Sequence, residues 1–290
     1  MSEWLLFGQA LLNGILKSGL YALAATGMAL AFGVVRILNL AHGDFLMLAA
    51  YFAIFLFSRY GLDPLAAIPV AFLLFFALGA VLYRGAIKPV LRAGELNQLL
   101  LTFGLSILIQ NLALIFFGGN VKTIFVSYKT ITISLGGLSF GAGRLVTFLL
   151  AVILLLVLYL VLQRTRFGRA IRAVSQDPEG AALIGIAPEK INLCAFGIAT
   201  GMAAVGGMML SVILYAEPLI GLGFTMKSLA VVVVAGLGNI YGIFWASLLL
   251  GVTESLVSTF VPEGTGWAEA IFFLLIFFAL IFKPRGVNQA

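Results

Sequence analysis

Charge is what this sequence has least of. Asp, Glu, Lys and Arg together make up 10% of its 290 residues, against about 25% in a soluble domain. With 62% hydrophobic residues, the chain reads as a polytopic membrane protein. Cysteine is nearly absent as well. Cys194 stands alone inside an apolar run, which excludes an internal disulfide and a thiolate metal cluster. The single histidine, His42, lacks the companions a metal ligand needs. There is no HExxH, no phosphate-binding GxxxxGK[ST] and no Ser/His/Asp set at a workable spacing, so no catalytic constellation is legible and ATP hydrolysis is excluded from this chain. Met1-Ser2-Glu3 lacks the positive start of a secretory signal, so the first apolar segment is expected to be retained.

Acidic residues are outnumbered 11 to 17 by basic ones, a net charge of +6. A basic balance can mark a nucleic-acid binder, but here Lys and Arg gather at the ends of apolar runs, where they set membrane topology. No nucleic-acid partner is expected; the lipid bilayer is. No stretch is long enough to fold as a separate soluble domain, so residues 1–290 read as one transmembrane unit.

The apolar runs give the expected spans. The first covers 4–35 and is long for one crossing, which needs about 20 residues; an interfacial start would account for the excess. Others are expected at 45–57, 65–83, 96–117, 145–162, 191–214, 240–260 and 267–282. Residues 225–237 form a segment only about half a bilayer long, either a ninth crossing or a re-entrant piece. The stretch 118–143 is glycine-rich, with alternation in Thr130-Ile131-Thr132-Ile133-Ser134-Leu135, which predicts a short hairpin. Two basic loops, 84–92 and 164–190, together with the tail Lys283-Pro284-Arg285-Gly286, assign these regions to the cytoplasm. The N-terminus and 118–143 then lie outside and the C-terminus inside.

The longest strongly polar interval is RTRFGRAIRAVSQDPEGAALIGIAPEK, residues 164–190. Its first part predicts a helix over 168–175 with Arg169 and Arg172 on neighbouring positions. Asp177-Pro178-Glu179 then offers an N-cap, a proline at the first helical position and an acid in the first turn. Gly185 supplies a left-handed cap, with Pro188 as a further stop. Two small helices on one loop form a surface that another protein can grip.

Ionisable groups within spans are functional candidates, because burying them costs several kcal/mol. Asn39, His42 and Asp44 interrupt the first two runs. One reading makes them caps of the second span; another makes His42 and Asp44 a proton-relay pair. Glu254 fits a relay or coupling-ion site, and equally an ion pair with Lys227 or Lys17. The two lysines also fit simple snorkelling. The glycine-punctuated breaks at 39–44 and 236–242, one in each half, resemble those found along transporter pathways. With Lys227, Ser228, Asn239 and Glu254, they make up the expected translocation path.

The stretches GLYALAATGMALAFGVVRILNLAHGDFLMLAAY, LLLTFGLSILIQNLA, RTRFGRAIRAVSQDPEGAALIGI, KSLAVVVVAGLGNIYG, GVTESL and KPRG together resemble the ABC-importer permease family for branched-chain amino acids, specifically its shorter permease subunit. One departure is Ser228-Leu229-Ala230 where the family pattern has Ala-Phe. The resemblance implies an all-α bacterial-type inner-membrane permease of eight to nine spans, with a fold like that of vitamin B12-type importers. It implies a second, longer permease, two cytoplasmic ATPase subunits and an extracytoplasmic solute-binding protein. ATP and magnesium then sit on the partner subunits, with no cofactor on this chain. The family's coupling segment corresponds to 166–186, with Glu179, Ala181, Ala182 and Gly185 on the part that seats in the ATPase. Relatives that carry urea, short amides or other amino acids leave the solute open. An ion-coupled secondary transporter or channel using Glu254 and His42 is the rival; a folded, capped loop has no purpose in such a protein.

Overall fold

The computed structural model describes residues 3–91, 93–236, 239–264, 266–267, 270, 273–274, 277–278 and 281. The long apolar start is one unbroken helix, α1 (Glu3–Val35). Its 33 residues span about 50 Å at 1.5 Å per residue, well beyond the hydrocarbon core of about 30 Å. It is also the most enclosed helix of the bundle, packed against α7 (Ala142–Arg164), α10 (Pro188–Ile213), α11 (Ile220–Ala235) and α12 (Ile240–Phe260). Small residues permit this. A Cβ on Gly14 would lie 2.6 Å from Val252 Cα, and one on Gly19 would lie 2.6 Å from Phe148 Cα. In a membrane, close backbone approach replaces the hydrophobic drive that water would provide.

Helix α2 (His42–Tyr60) leads through a left-handed Gly61 into α3 (Pro64–Leu82). The Asp63 carboxylate accepts the Leu65 N–H at 2.8 Å to start α3. The expected loop over 84–92 is not a loop. The chain continues through a π-helical turn, Tyr83–Ile87, into the one-turn helix α4 (Lys88–Val90). Arg84 and Lys88 change polarity without breaking helical geometry, which is why the end of the apolar run misplaced the boundary. Arg92 lies outside the described residues.

Helix α5 (Glu95–Phe117) is followed by the short α6 (Ser127–Thr130) and the antiparallel strands β1 (Thr132–Leu135) and β2 (Leu138–Gly141). The predicted hairpin is present, turned by Gly136 and Gly137 at φ 59° and 87°. Positive φ at both central residues is what a type I′ turn requires. Gln9 of α1 clamps the hairpin from both sides, donating to the Ser139 carbonyl at 2.6 Å and accepting its N–H at 2.8 Å. After α7 come α8 (Arg166–Gln176) and α9 (Pro178–Leu183). Pro188, expected as a stop beyond α9, lies past its end and also opens α10.

Among the described residues, seven helices are long and apolar enough to cross a membrane: α1, α2, α3 continued through Val90, α5, α7, α10 and α12. The chain is therefore an all-α polytopic protein carrying one small hairpin. Helix α11, 16 residues long, begins at Ile220 rather than 225 and reaches about 24 Å. The expected span at 267–282 lies largely outside the described residues, as does the basic tail.

Helices α10 and α2 meet through Gly207, where a Cβ would sit 2.0 Å from the Leu46 carbonyl oxygen. Gly207→Ala is expected to cost about 1–3 kcal/mol by overpacking and to lower the melting temperature in detergent. Gly104→Ala, with nothing within 4 Å, is expected to leave it unchanged. Equal melting of the two variants would contradict this packing.

Candidate functional site

Glu254 anchors the polar centre. It sits six residues before the end of α12, roughly 9 Å along the axis, and is 7% exposed. Lys17 of α1 approaches its Oε1 at 2.9 Å and Lys227 of α11 at 3.2 Å. The Tyr21 hydroxyl donates to Oε2, and Lys227 also donates to that hydroxyl at 3.2 Å. The two lysines therefore do not snorkel; they turn onto the carboxylate. Both oxygens of Glu254 are engaged, so the residue forms the ion pair with Lys17 and Lys227. One carboxylate against two ammonium groups leaves an excess positive charge inside the bundle, relieved only because Lys17 is 41% exposed.

The break between α1 and α2 begins at Arg36, a non-glycine residue at φ 58°. Asn39 Oδ1 accepts the Ala41 N–H at 3.1 Å, so Asn39 shapes the approach rather than capping α2. Ala41 is the N-cap and makes no side-chain cap bond. His42 and Asp44 lie inside the first turn and point apart, as residues two positions along a helix must. His42 Nε2 lies 2.8 Å from the Ala24 carbonyl; a carbonyl only accepts, so Nε2 carries the proton. Asp44 Oδ1 instead accepts from Gln110 of α5 at 3.0 Å, while its buried Oδ2 has no partner among the described residues. The two side chains do not form a relay pair. What seals the first turn is α11: Thr225 Oγ1 accepts the Gly43 N–H at 2.8 Å and donates to the Leu40 carbonyl at 3.1 Å. Thr225 went unnoticed in the sequence because its partners lie about 180 positions away.

The second break is bridged by Asn239. Its Nδ2 donates to the Ala235 carbonyl at 3.3 Å and its Oδ1 accepts the Gly242 N–H at 3.2 Å, tying α11 to α12. Leu237 and Gly238 lie outside the described residues. The two breaks do not face each other at one level. The first meets α11 near Thr225 and the second forms past its end at Ala235, ten positions or about 15 Å further along the helix. Ser228 lies between them, buried, with its hydroxyl unpartnered among the described residues.

At the same end of the bundle as Asn239, which shares a cavity wall with Ile171, Arg172 and Ser175, α8 and α9 are fixed by local bonds. Thr165 Oγ1 accepts the Gly168 N–H at 3.0 Å. Asp177 Oδ1 accepts from the Glu179 and Gly180 N–H groups, both at 3.0 Å, which is the expected cap. Gly185 follows at φ 84°. Two expected surface residues turn inward. Arg172 donates to the Leu162 carbonyl, filling the open C-terminal end of α7, and Ala181 is buried. Arg169, Glu179 and Ala182 are exposed. Beside Ala182, Leu183 and Ile184 are 89% and 74% exposed. The sequence did not single out this apolar tip, because two aliphatic residues in a short helix look like core.

A multi-pass helical chain with its polar groups gathered at interhelical breaks, and with a rigid folded loop at one end, belongs to the class of membrane transport permeases. The family profile described as branched-chain amino acid transport system, permease component, matches residues 10–280, and the chain belongs to that family. It is 29% identical over 296 residues to the high-affinity branched-chain amino acid transport system permease protein BraD of Pseudomonas aeruginosa, covering 96% of this chain and 94% of that protein. It is 29% identical over 301 residues to LivH of Salmonella typhimurium, covering 99% of this chain and 97% of that protein. It is also similar to LivM of Escherichia coli K12, 28% identical over 295 residues, or 92% of this chain and 67% of that protein. No solved structure matches the chain.

Proposed function

We propose that this chain is the shorter permease subunit of an ATP-driven importer, working beside a second, homologous and longer permease. It carries a branched-chain amino acid or a related small polar solute delivered by an extracytoplasmic binding protein. ATP hydrolysis belongs to separate ATPase subunits, which hold ATP and magnesium; this chain is not an enzyme. The observation that carries the reading is the family match across nearly the whole chain, joined to a capped loop that ends in exposed Leu183 and Ile184. The ATPase contact in this proposal comprises Arg169, Glu179, Ala182 and that tip, with Asp177 and Gly185 setting the bounds of α9. Arg172 and Ala181 support it from within. The path is assigned to the breaks around Asn39, His42, Asp44, Ser228 and Asn239, with Lys227 and Glu254 holding the helices beside it. The vitamin B12-importer-like arrangement belongs to the same proposal. So does an orientation in an inner membrane with the N-terminus and hairpin outside and the loop and C-terminus in the cytoplasm.

Orientation is the part most directly tested. In a Cys194→Ser background, Ser127→Cys is expected to react with a membrane-impermeant maleimide added to intact cells, and Arg169→Cys only after permeabilisation. The positive-inside distribution supports this result. Labelling of position 169 from outside would overturn the orientation and the ATPase contact together.

A further inference from the structure

Two cavities open side by side at the hairpin end of the bundle, one of about 500 Å³ and one of about 260 Å³. Asn13, Arg144 and Ile213 stand in the walls of both. The larger adds Lys129 and the smaller adds Lys17, so three cations line the joined space and, among the described residues, no carboxylate does. Among the described residues, neither Arg144 nor Lys129 has an acidic group within 4 Å. Their hydrogen-bonding capacity is also only partly spent. Arg144 carries five N–H donors and has one contact, to Asn13 Oδ1 at 3.4 Å. Lys129 has three donors and uses two, on Thr123 Oγ1 at 2.7 Å and the Leu214 carbonyl at 3.2 Å. Gln9 spends one N–H donor and one carbonyl lone pair on clamping the hairpin and keeps a second N–H. Partial burial holds the Lys129 pKa below the ordinary lysine value, a cost that a nearby anion would offset.

We propose that the joined cavities bind a singly charged oxyanion, a carboxylate or a phosphodiester, between Arg144 and Lys129. Lys17 forms the deeper end of the site, where its ammonium group is shared with Glu254. Arg presents a planar fork that matches two oxygens of one anionic group, and the lysine adds a point charge. The larger cavity falls within the volume usual for small-ligand sites, about 300–1,000 Å³. A solute carboxylate or an anionic lipid headgroup would both supply this chemistry, and the test separates them.

The full-length chain is placed in nanodiscs of phosphatidylcholine alone. Modification of Arg144 by phenylglyoxal and acylation of Lys129 are then followed by peptide mass spectrometry, with exposed Arg169 as the internal control. L-leucine at about four times its dissociation constant is expected to slow both reactions about fivefold, the factor 1 + [L]/Kd. Leucinamide, which lacks the carboxylate, should leave them unchanged. Slowing by phosphatidylglycerol in the nanodisc, without an effect of leucine, would support the site and assign it to lipid. In Arg144→Gln the protection of Lys129 should disappear. Unaltered rates with leucine and with phosphatidylglycerol, or Lys129 protection that persists in Arg144→Gln, would overturn the proposal. Because the readout is protection and not uptake, that failure would leave the importer reading intact.

Discussion

Glu254→Gln is expected to cost the folded permease about 3 kcal/mol, because removing one partner of a buried ion pair leaves its opposite charge uncompensated. Lys227 accounts for most of the loss: its side chain is 20% exposed, against 41% for Lys17, and solvent screens the more open group. In the parent chain the single carboxylate binds α1, α11 and α12 together through Lys17, Tyr21 and Lys227. Without it, two ammonium groups repel each other between α1 and α11. The variant should elute as aggregate after mild heating in detergent, at temperatures where the parent remains monodisperse. Glu254→Gln combined with Lys227→Met removes the stranded charge and is expected to recover a large part of the loss. A single variant as heat-stable as the parent would remove the structural role of this cluster.

The second large effect concerns the loop. Leu183→Asp and Ile184→Asp, made together, are expected to abolish ATPase co-purification and uptake while leaving insertion and melting temperature unchanged. Both side chains point into solvent, so neither supports the fold. Burying one such side chain at an interface contributes roughly 1.5–3 kcal/mol, and a desolvated, unpaired carboxylate adds a penalty of its own. A combined loss of about 3 kcal/mol or more corresponds to at least a hundredfold weaker association. Ala182→Arg, on the same exposed face, should act in the same direction. Asp177→Ala removes a cap worth about 1 kcal/mol and is expected to be intermediate. Normal ATPase retention by the double aspartate variant would dissociate α9 from the ATPase.

How far the sequence reached depends on the range of the interaction. Hydropathy marked the spans, because a bilayer imposes one length on every crossing, and the ends of α2, α5, α7 and α12 fell within a few residues. The hairpin and the Asp177 cap were legible for a related reason: each is closed by residues within a few positions, Gly136-Gly137 in one case and Glu179-Gly180 in the other. Boundaries failed where polarity and geometry part company. Arg84 and Lys88 ended the apolar run without ending the helix, and α10 began at Pro188, three residues before the expected span at 191. The site was harder. Composition showed that Lys17, Lys227 and Glu254 lie within spans, but not that α1, α11 and α12 bring them to one depth. The role of Thr225 against Gly43 depends wholly on how α11 crosses α2, which hydrophobic periodicity does not encode. Arg172 illustrates the converse. Read among four loop arginines it looked like part of a docking surface, yet its bond to Leu162 makes it the closing group of α7.

Transport by the assembled complex decides the central claim. The permease, its longer partner and the ATPase subunits, reconstituted in liposomes, are supplied with the binding protein outside and ATP inside, and labelled leucine and urea are followed. The account predicts uptake that needs both ATP and the binding protein and that persists when proton and sodium gradients are collapsed. Uptake that proceeds without ATP and disappears with an ion gradient would contradict it.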